Sequence, residues 1–446
     1  MKTMTFPVEE AKETITYRRK KSKGRRQKIF DDFIPEEKHH TLEGEGLYCS
    51  DCHSLLKEIG ASCARQELVF IPAQLKRIDH IQHSYKCEKC SQENASDRII
   101  KAPVSKAPLA HSLGSASIIA HTIYQKYVLK VPAYRQENDW KQIGLPITRK
   151  EITNWQIKVC DYYLQSIYDL LKQKLIKQDI LHADETPYNV IESDSSKTYY
   201  WTFLSGKHNE QGITLYHHGS RKGQEAIDFL NGFKGYLHCD QYQAYKMLDN
   251  VTLVGCWAHL RRKFVDASPN SPDNESIAQK AIAFVDQMFR LERSFEHLST
   301  KERFEERQKQ LKPMIDSFFT WCHKHQSKVL KNSKLGTAFA YSLGHEEAFR
   351  NVLKDGNLVL SNNMAERSIK SIVMGRKNWL FSTSYHGAKS VAIIMSILET
   401  AKRHKLNTEK YLTYLLEKLP NKESLADLTQ LEAFLPWSKE VQANCR

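Results

Sequence analysis

The sequence predicts an α/β fold: a mixed sheet covered by helices, interrupted by a helical insertion, with a small cysteine-bearing domain ahead of it and helical regions on both sides. Three observations carry this expectation. Three runs rich in β-branched and aromatic residues, Asp179–Ile191, Thr198–Ser205 and Gly212–His218, are followed by alternating helix-like and strand-like stretches. Residues 272–330 break that alternation with apolar positions at helical spacing. Two Cys-x-x-Cys pairs stand within residues 47–90.

Residues 1–46 read as a basic flexible arm, 47–90 as the cysteine-bearing domain, and 91–110, polar with two Ala-Pro pairs, as a linker. Residues 111–178 read as helical. Thr148-Arg-Lys-Glu151 is a capping-box pattern ahead of Ile152 and Trp155, and Gly144-Leu-Pro146 breaks the chain before it. Helix, short turn and capped helix fit either a DNA-reading helix-turn-helix or two ordinary packed helices. From 179 the predicted order is β-β-β-α-β-α-β, with a helix at Gly223–Phe233, a strand at Gly235–Cys239, a short helix in Gln241–Leu248 and a strand at Val251–Cys256. The insertion, about residues 271–345, shows Ile277, Ala281, Phe284, Met288, Leu291 and Phe295 stepping by four and three, and Leu311, Met314, Phe318 and Cys322 likewise. The α/β unit spans 179–390, and a helical C-terminal domain occupies 391–446.

The chain has 446 residues, and its Lys+Arg exceed Asp+Glu by 14. The excess suggests a polyanionic partner. Arg18, Arg19, Lys20, Lys21, Lys23, Arg25, Arg26 and Lys28 crowd one short stretch, a pattern that grips phosphates by counterion release or is simply a solvated arm. The apolar run Val391–Leu398 is far short of the ~20 residues of a membrane span, and Met1–Lys20 is too polar for a signal peptide. A cytoplasmic protein without membrane partners is expected.

Cys49, Cys52, Cys87 and Cys90 form C-x2-C…C-x2-C with 34 residues between the pairs. Two such turns complete a tetrahedron of thiolates around Zn²⁺, and four protein ligands leave no open position, so the zinc would be structural. His53 and Cys63 are surplus to that site.

Asp184 lies within a half-apolar strand, and Asp240 closes another. In a ribonuclease H-like sheet those strands are neighbours and their carboxylates converge. A third acid on a packing helix would complete a site for two Mg²⁺ or Mn²⁺ ions, about 3.5–4 Å apart. Glu366, in Ser361-Asn-Asn-Met-Ala-Glu-Arg367, is the candidate. Asn363-x-x-Glu366 equally fits a helix cap, and Lys370 could pair with Glu366 at i+4. Asp184 and Asp240 could be turn acids. Glu185 rivals Asp184 but faces the other side of a strand.

Five stretches occur in order: Leu181-His-Ala-Asp-Glu-Thr-Pro187, His238-Cys-Asp-Gln-Tyr-Gln-Ala-Tyr245, Gly255-Cys-Trp-Ala-His-Leu-Arg-Arg-Lys-Phe264, Asn362-Asn-Met-Ala-Glu-Arg367 and Gly375-Arg-Lys-Asn-Trp-Leu-Phe381. Together they resemble the motifs of the bacterial insertion sequence sixty-six (IS-sixty-six) transposases, the TnpC-type proteins. The cysteine quartet resembles that family's zinc-binding domain, and Tyr411-Leu-Thr-Tyr-Leu-Leu416 its tail. The resemblance implies a ribonuclease H-like core with a DDE triad of Asp184, Asp240 and Glu366, and a helical insertion between the second and third acids. It implies binding of element ends and target DNA, metal-dependent cleavage and strand transfer, action as a homo-oligomer with possible accessory proteins, and a nucleoid-associated location. Family members usually carry a longer N-terminus, so a shortened, catalytically silent DNA-binding relic or regulator is the alternative.

Two basic trios flank the acids: Arg261, Arg262 and Lys263, and Arg376, Lys377 and Asn378. They read as phosphate clamps or as solvated charge. Cys256-Trp-Ala-His259 lacks partners for a metal site and reads as a structural brace. Trp379 reads as core. Tyr242 and Tyr245 raise a tyrosine-nucleophile mechanism, but no Arg-His-Arg framework accompanies them.

Overall fold

The computed structural model describes residues 35–63, 65, 74–86, 99–195, 197–268 and 276–446. The basic run Arg18–Lys28, with Arg18, Arg19, Lys20, Lys21, Arg25 and Arg26, and the cysteines Cys87 and Cys90 lie outside the described residues. The chain divides into two compact units, 1–102 and 103–446.

In the first unit a 3-10 turn, Gly44–Leu47, leads into a tight hairpin closed by the Tyr48–Leu55 bridge. Strands β1 (Ser84–Lys86) and β2 (Ile99–Lys101) pair antiparallel, with Tyr85 opposite Ile100. None of the described side chains in this unit is buried. Its apolar residues, Leu55, Ile59, Ile78 and Tyr85 among them, are exposed, so hydrophobic burial does not hold these residues together.

The second unit opens with helices α1 (Ala116–Tyr127), α2 (Ala133–Gln142) and α3 (Arg149–Val159). The capping box forms as the sequence predicts: Glu151 N donates to Thr148 Oγ1 at 3.2 Å, and Thr148 N to Glu151 Oε2 at 2.8 Å. Helix α3 continues through a π-turn, Cys160–Leu164, into α4 (Gln165–Leu175). It buries Ile152, Trp155 and Val159 in the core shared with the sheet.

The sheet follows in the predicted order. Strands β3 (Ile180–Tyr188), β4 (Thr198–Ser205) and β5 (Thr214–Gly219) form an antiparallel meander. Helix α5 (Gly223–Phe229) crosses back to β6 (Gly235–Cys239), and a 3-10 turn, Gln243–Met247, leads to β7 (Val251–Gly255). Spatial order is β5-β4-β3-β6-β7, with β6 and β7 parallel to β3. The stretch expected as a second short helix is thus a single 3-10 segment.

After β7, α6 (Trp257–Asp266) begins the helical insertion: α7 (Ile277–Ser294), α8 (Thr300–Glu306), α9 (Lys312–His325), α10 (Lys334–Gly344) and α11 (Glu346–Arg350). A second core forms here. Trp257, Leu260 and Phe264 of α6 meet Ala281, Met288, Leu311, Phe318 and Cys322, all on the stripes that the spacing predicts. Buried Arg307 braces the insertion: its guanidinium pairs with Glu292 and donates to the carbonyls of Asp355 and Leu358.

Helix α12 (Asn363–Trp379) returns to the sheet, and α13 (Tyr385–Arg403) covers the open edge of β5. There Ser396 Oγ accepts from Tyr216 N at 2.8 Å and Thr400 Oγ1 from Thr214 N at 3.1 Å, which satisfies edge groups that would otherwise invite another strand. Helix α13 runs unbroken across residue 390, where the sequence reading ends the α/β unit. Helix α14 (Thr408–Lys418) closes the fold against α1, where His121 and Glu409 pair at 2.6 Å. Among the described residues, no helix is long and apolar enough to cross a membrane.

Candidate catalytic site

Strands β3 and β6 run in parallel register, with His182 opposite His238. Side chains two residues apart share a face. Asp184 and Asp240 therefore stand level with each other, one step beyond the histidines and on the same face. The two imidazoles stack there, with ring centroids 4.3 Å apart and planes 11° apart. Burial lowers the pKa of both rings, that of His182 to about 4, so both are neutral at pH 7.

Asn362 fixes the third acid to this face. Its Nδ2 donates to Ala183 O at 2.8 Å, its Oδ1 lies 2.9 Å from His182 Nδ1, and its backbone N donates to Cys256 Sγ at 3.1 Å. Helix α12 starts at the next residue, so Glu366 is in its first turn, beside the strand ends. The cap alternative for Glu366 is not realised. Asn362, not Asn363, holds the N-cap position, and no side chain caps the helix.

The acids share one field. Burial pushes the Asp184 carboxyl up to about 8, and the charges of Glu185, Asp240 and Glu366 push the same way. Asp184 Oδ1 accepts from Glu185 N at 2.9 Å, and Asp240 Oδ1 from Tyr242 N at 2.9 Å. Gln241 adopts a left-handed φ of +70°, an uncommon conformation for a non-glycine residue, directly after Asp240. Tyr341, from the insertion, donates its hydroxyl to Asp240 O at 2.9 Å. Glu185, the rival, is engaged elsewhere: only 4% of its side chain is exposed, and its oxygens accept from Tyr245 Oη at 3.0 Å and Arg221 Nη2 at 3.3 Å. Tyr245 is fully buried and Tyr242 donates to Arg221 O, so both tyrosines serve structure.

The basic trios separate. Arg262 Nη2 lies 3.3 Å from both Glu366 oxygens. Arg261 makes a two-pronged pair with Asp286 of the insertion, at 2.7 and 3.0 Å. Lys263 Nζ lies 5.5 Å from the centre of the Tyr341 ring. Arg376 turns inward to Thr186 Oγ1 and Pro187 O, whereas Lys377 is exposed. Arg261, Arg262, Glu366, Arg367 and Lys370 line a groove of about 440 Å³ between α6 and α12. Trp379 is half-buried, edge-on to Tyr127 at 5.7 Å.

The Transposase IS66 family matches residues 111–390, the stretch that carries all three acids and the helical insertion. The chain belongs to the IS66 transposase family. The zinc-finger binding domain of transposase IS66 matches residues 47–91, and the IS66 C-terminal element matches 396–437. The uncharacterized protein y4hP of Sinorhizobium fredii (strain NBRC 101917 / NGR234) is 25% identical over 413 residues, which cover 87% of this chain and 73% of that protein. The uncharacterized protein y4jD of the same strain is 26% identical over 414 residues, covering 89% and 79%.

In this IS66-family chain the described half of the cysteine quartet is a tight turn. Cys49 N donates to Ser54 O and His53 N to Cys49 O, each at 2.9 Å. Hydrogen bonds from Ser54, and then from Cys49, lower the Cys52 thiol pKa, which favours the thiolate that a metal requires. Among the described residues, no three His, Cys, Asp or Glu side chains form a ready-made metal cage. The donor chemistry nevertheless fits a divalent cation at the acids, because positive charge would relieve the Asp184 carboxyl, whose ionisation burial and its acidic neighbours oppose.

Sequence reasoning missed four residues of this site. Asn362 acts across 180 positions of sequence, which no local pattern reveals. Gln241 and Tyr341 act through backbone geometry and a backbone carbonyl. His259 could have been found. The C-x-x-H spacing flagged it as a brace with Cys256; Cys256 does brace Asn362, but His259 Nδ1 instead lies 3.5 Å from Glu366 Oε1.

Proposed function

We propose that this chain is a DNA transposase that cleaves and transfers strands through Asp184, Asp240 and Glu366, on a core of ribonuclease H-like topology. One observation supports the reading: Asp184 on β3 feels the charge of Asp240, 56 positions on at the end of β6, and of Glu366, 182 positions on in the first turn of α12. The acids would hold two Mg²⁺ or Mn²⁺ ions, which activate the attacking oxygen and stabilise the leaving one. The protein's own residues supply the frame. Asn362 sets the height of Glu366 against Asp184, and Gln241 and Tyr341 fix Asp240. Arg262, Arg367 and Lys370 line the groove that would seat the phosphate backbone.

At the element end, the oxygen of water bonds to phosphorus as the P–O3′ bond breaks, and the departing O3′ takes up a proton. The freed 3′-hydroxyl oxygen then bonds in line to a target phosphorus as the target's own P–O3′ bond breaks, and the proton it loses passes to the departing target O3′. The first unit, with Cys49, Cys52, Cys87 and Cys90 around a structural Zn²⁺, and the N-terminal basic run would bind the ends, in a homo-oligomer on DNA.

The test is strand cleavage of labelled duplexes bearing the inverted repeats that flank this coding sequence, with Mg²⁺. Asp184→Asn, Asp240→Asn and Glu366→Gln should each abolish nicking while retaining DNA binding. If any of them cleaves as the wild type does, that residue is not part of the site.

A further inference from the structure

Helix α12 carries a feature that the three acids do not use. Five of its exposed positions, Asn363, Arg367, Lys370, Met374 and Lys377, are spaced four, three, four and three, so they form one stripe along one face, with exposed Asn378 beside its end. Beginning beside Glu366, this stripe presents three cations over about 15 Å, the axial rise of about four nucleotides of one DNA strand. At its far end stand Leu380, 61% exposed, and Phe381, 45% exposed.

The backbone holds these two side chains out. Leu380 has φ +64° and ψ −48°, and Phe381 N donates to Trp379 O at 2.7 Å, which makes a γ-turn. A branched residue with this φ is strained, and such strain persists only where the surroundings enforce it. They do so here. Arg376 anchors the helix end to Thr186 and Pro187, and Trp379 packs on Tyr127. Beyond the turn, Ile191 N donates to Ser382 O at 3.0 Å and Ser382 N to Asn189 O at 3.1 Å, and the Tyr188 and Ser382 hydroxyls lie 3.0 Å apart. Ile191 is itself 62% exposed, so the tip is a rigid apolar lip. Tyr188 lies four residues along β3 from Asp184, about 13 Å.

We infer that Leu380 and Phe381 form a wedge that enters the base stack of the DNA end held at the acids, a few base steps from the cleaved phosphate, and keeps that step unstacked. The inference rests on the transposase reading. It commits to DNA because the apolar tip ends a cationic stripe that starts at the catalytic helix turn. Apolar side chains inserted between base steps are an established way of opening duplex DNA. Leu380 and Phe381 are positioning residues; neither touches the reacting phosphate.

The experiment separates the wedge from the chemistry. In an Asp184→Asn background, which blocks cleavage, the chain is bound to inverted-repeat duplexes carrying 2-aminopurine at successive positions near the end. Fluorescence should rise at one or two adjacent positions, reporting lost stacking. Adding Leu380→Gly and Phe381→Ser should remove the rise while the dissociation constant stays within about threefold. Leu380→Gly suits the left-handed φ, so its melting temperature should equal or exceed that of its parent, and loss of folding cannot explain the result. With Asp184 intact, the double variant should cleave paired ends at least about tenfold more slowly and recover on ends unpaired at the responsive positions. Fluorescence that stays flat with the native tip, a rise that survives in the variant, or no recovery on unpaired ends overturns the wedge. Failure of the unsubstituted chain to bind the repeats overturns the transposase reading and the wedge with it.

Discussion

Asp184→Asn should make the metal-free protein more stable while destroying its activity. In the folded chain the Asp184 carboxyl is raised from 3.8 to about 8 by burial and by its acidic neighbours. At about 1.4 kcal/mol per pH unit the full shift corresponds to about 6 kcal/mol. Asp184 keeps partial solvent contact, so about a third of that, ~2 kcal/mol, should be felt. The sign follows from proton linkage. Below pH 3.8 both states hold the proton and the acid costs nothing. As pH rises towards 8 the unfolded chain releases its proton and the folded chain does not, so wild-type stability falls across that window. Asparagine removes the titration but keeps the amide oxygen that accepts from Glu185 N. The variant should melt level with wild type near pH 4 and about 4 °C higher at pH 8. Mg²⁺ should close the gap by stabilising wild type alone. A variant no more stable than wild type at pH 8, or stabilised equally by Mg²⁺, would refute the reasoning that burial and acidic neighbours strain the Asp184 carboxylate until a cation relieves it.

Three other outcomes follow from the same geometry. Metal analysis should find about one Zn²⁺ per chain; chelation should make residues 47–91 protease-sensitive while residues 103–446 keep their melting temperature, because the first unit shows no buried side chain among its described residues. In the Asp184→Asn background, stability should fall by about 2 kcal/mol per buried ring between pH 7 and 5, because His182, lowered to about 4, refuses the proton that the unfolded chain accepts below about 6.5; a flat melting temperature would contradict it. Arg262→Ala should weaken DNA binding and reduce its salt slope by about 1, whereas Arg261→Ala, which breaks the pair with Asp286, should cost about 0.5–1 kcal/mol of stability and leave the slope unchanged; equal salt slopes would show that the two arginines are not divided this way.

The strand succession was legible because each strand is punctuated by polar turns and the β-branched runs are short. Asp184 was legible as an acid in an apolar strand, and its level with Asp240 follows once β3 and β6 are neighbours. Glu366 was not legible on its own, because the cap and pairing alternatives use the same local spacing. What decides is long-range: the Asn362 side chain reaches back to β3, and Glu366 turns to Arg262 and His259 rather than along its own helix. Adjacent arginines defeat sequence reading for a similar reason. With Trp257, Leu260 and Phe264 buried, α6 must point Arg261 and Arg262 to different neighbours, and only the fold of the insertion shows that Asp286 awaits the first. Nothing in the sequence marks Leu380 as exposed, because a γ-turn leaves no compositional mark.

These separate facts meet in helix α12. Its first turn carries the third acid, its outward stripe carries the cations, and its last residues lead into the strained tip. Both ends are tied to the same strand: Asn362 to His182 and Ala183 at one end, Arg376 to Thr186 and Pro187 at the other. A helix fastened twice to β3 cannot shift its acid without shifting its tip. If the chain cleaves and wedges DNA as proposed, the spacing between the cleaved phosphate and the contacted base step would be set by the fold. The neutral histidine pair beneath the acids belongs to this frame. Either ring, if charged, would place a cation in a fully buried layer and disturb the hydrogen bonds that set the height of Glu366. Burial that keeps the rings neutral thus serves the geometry of the acids above them.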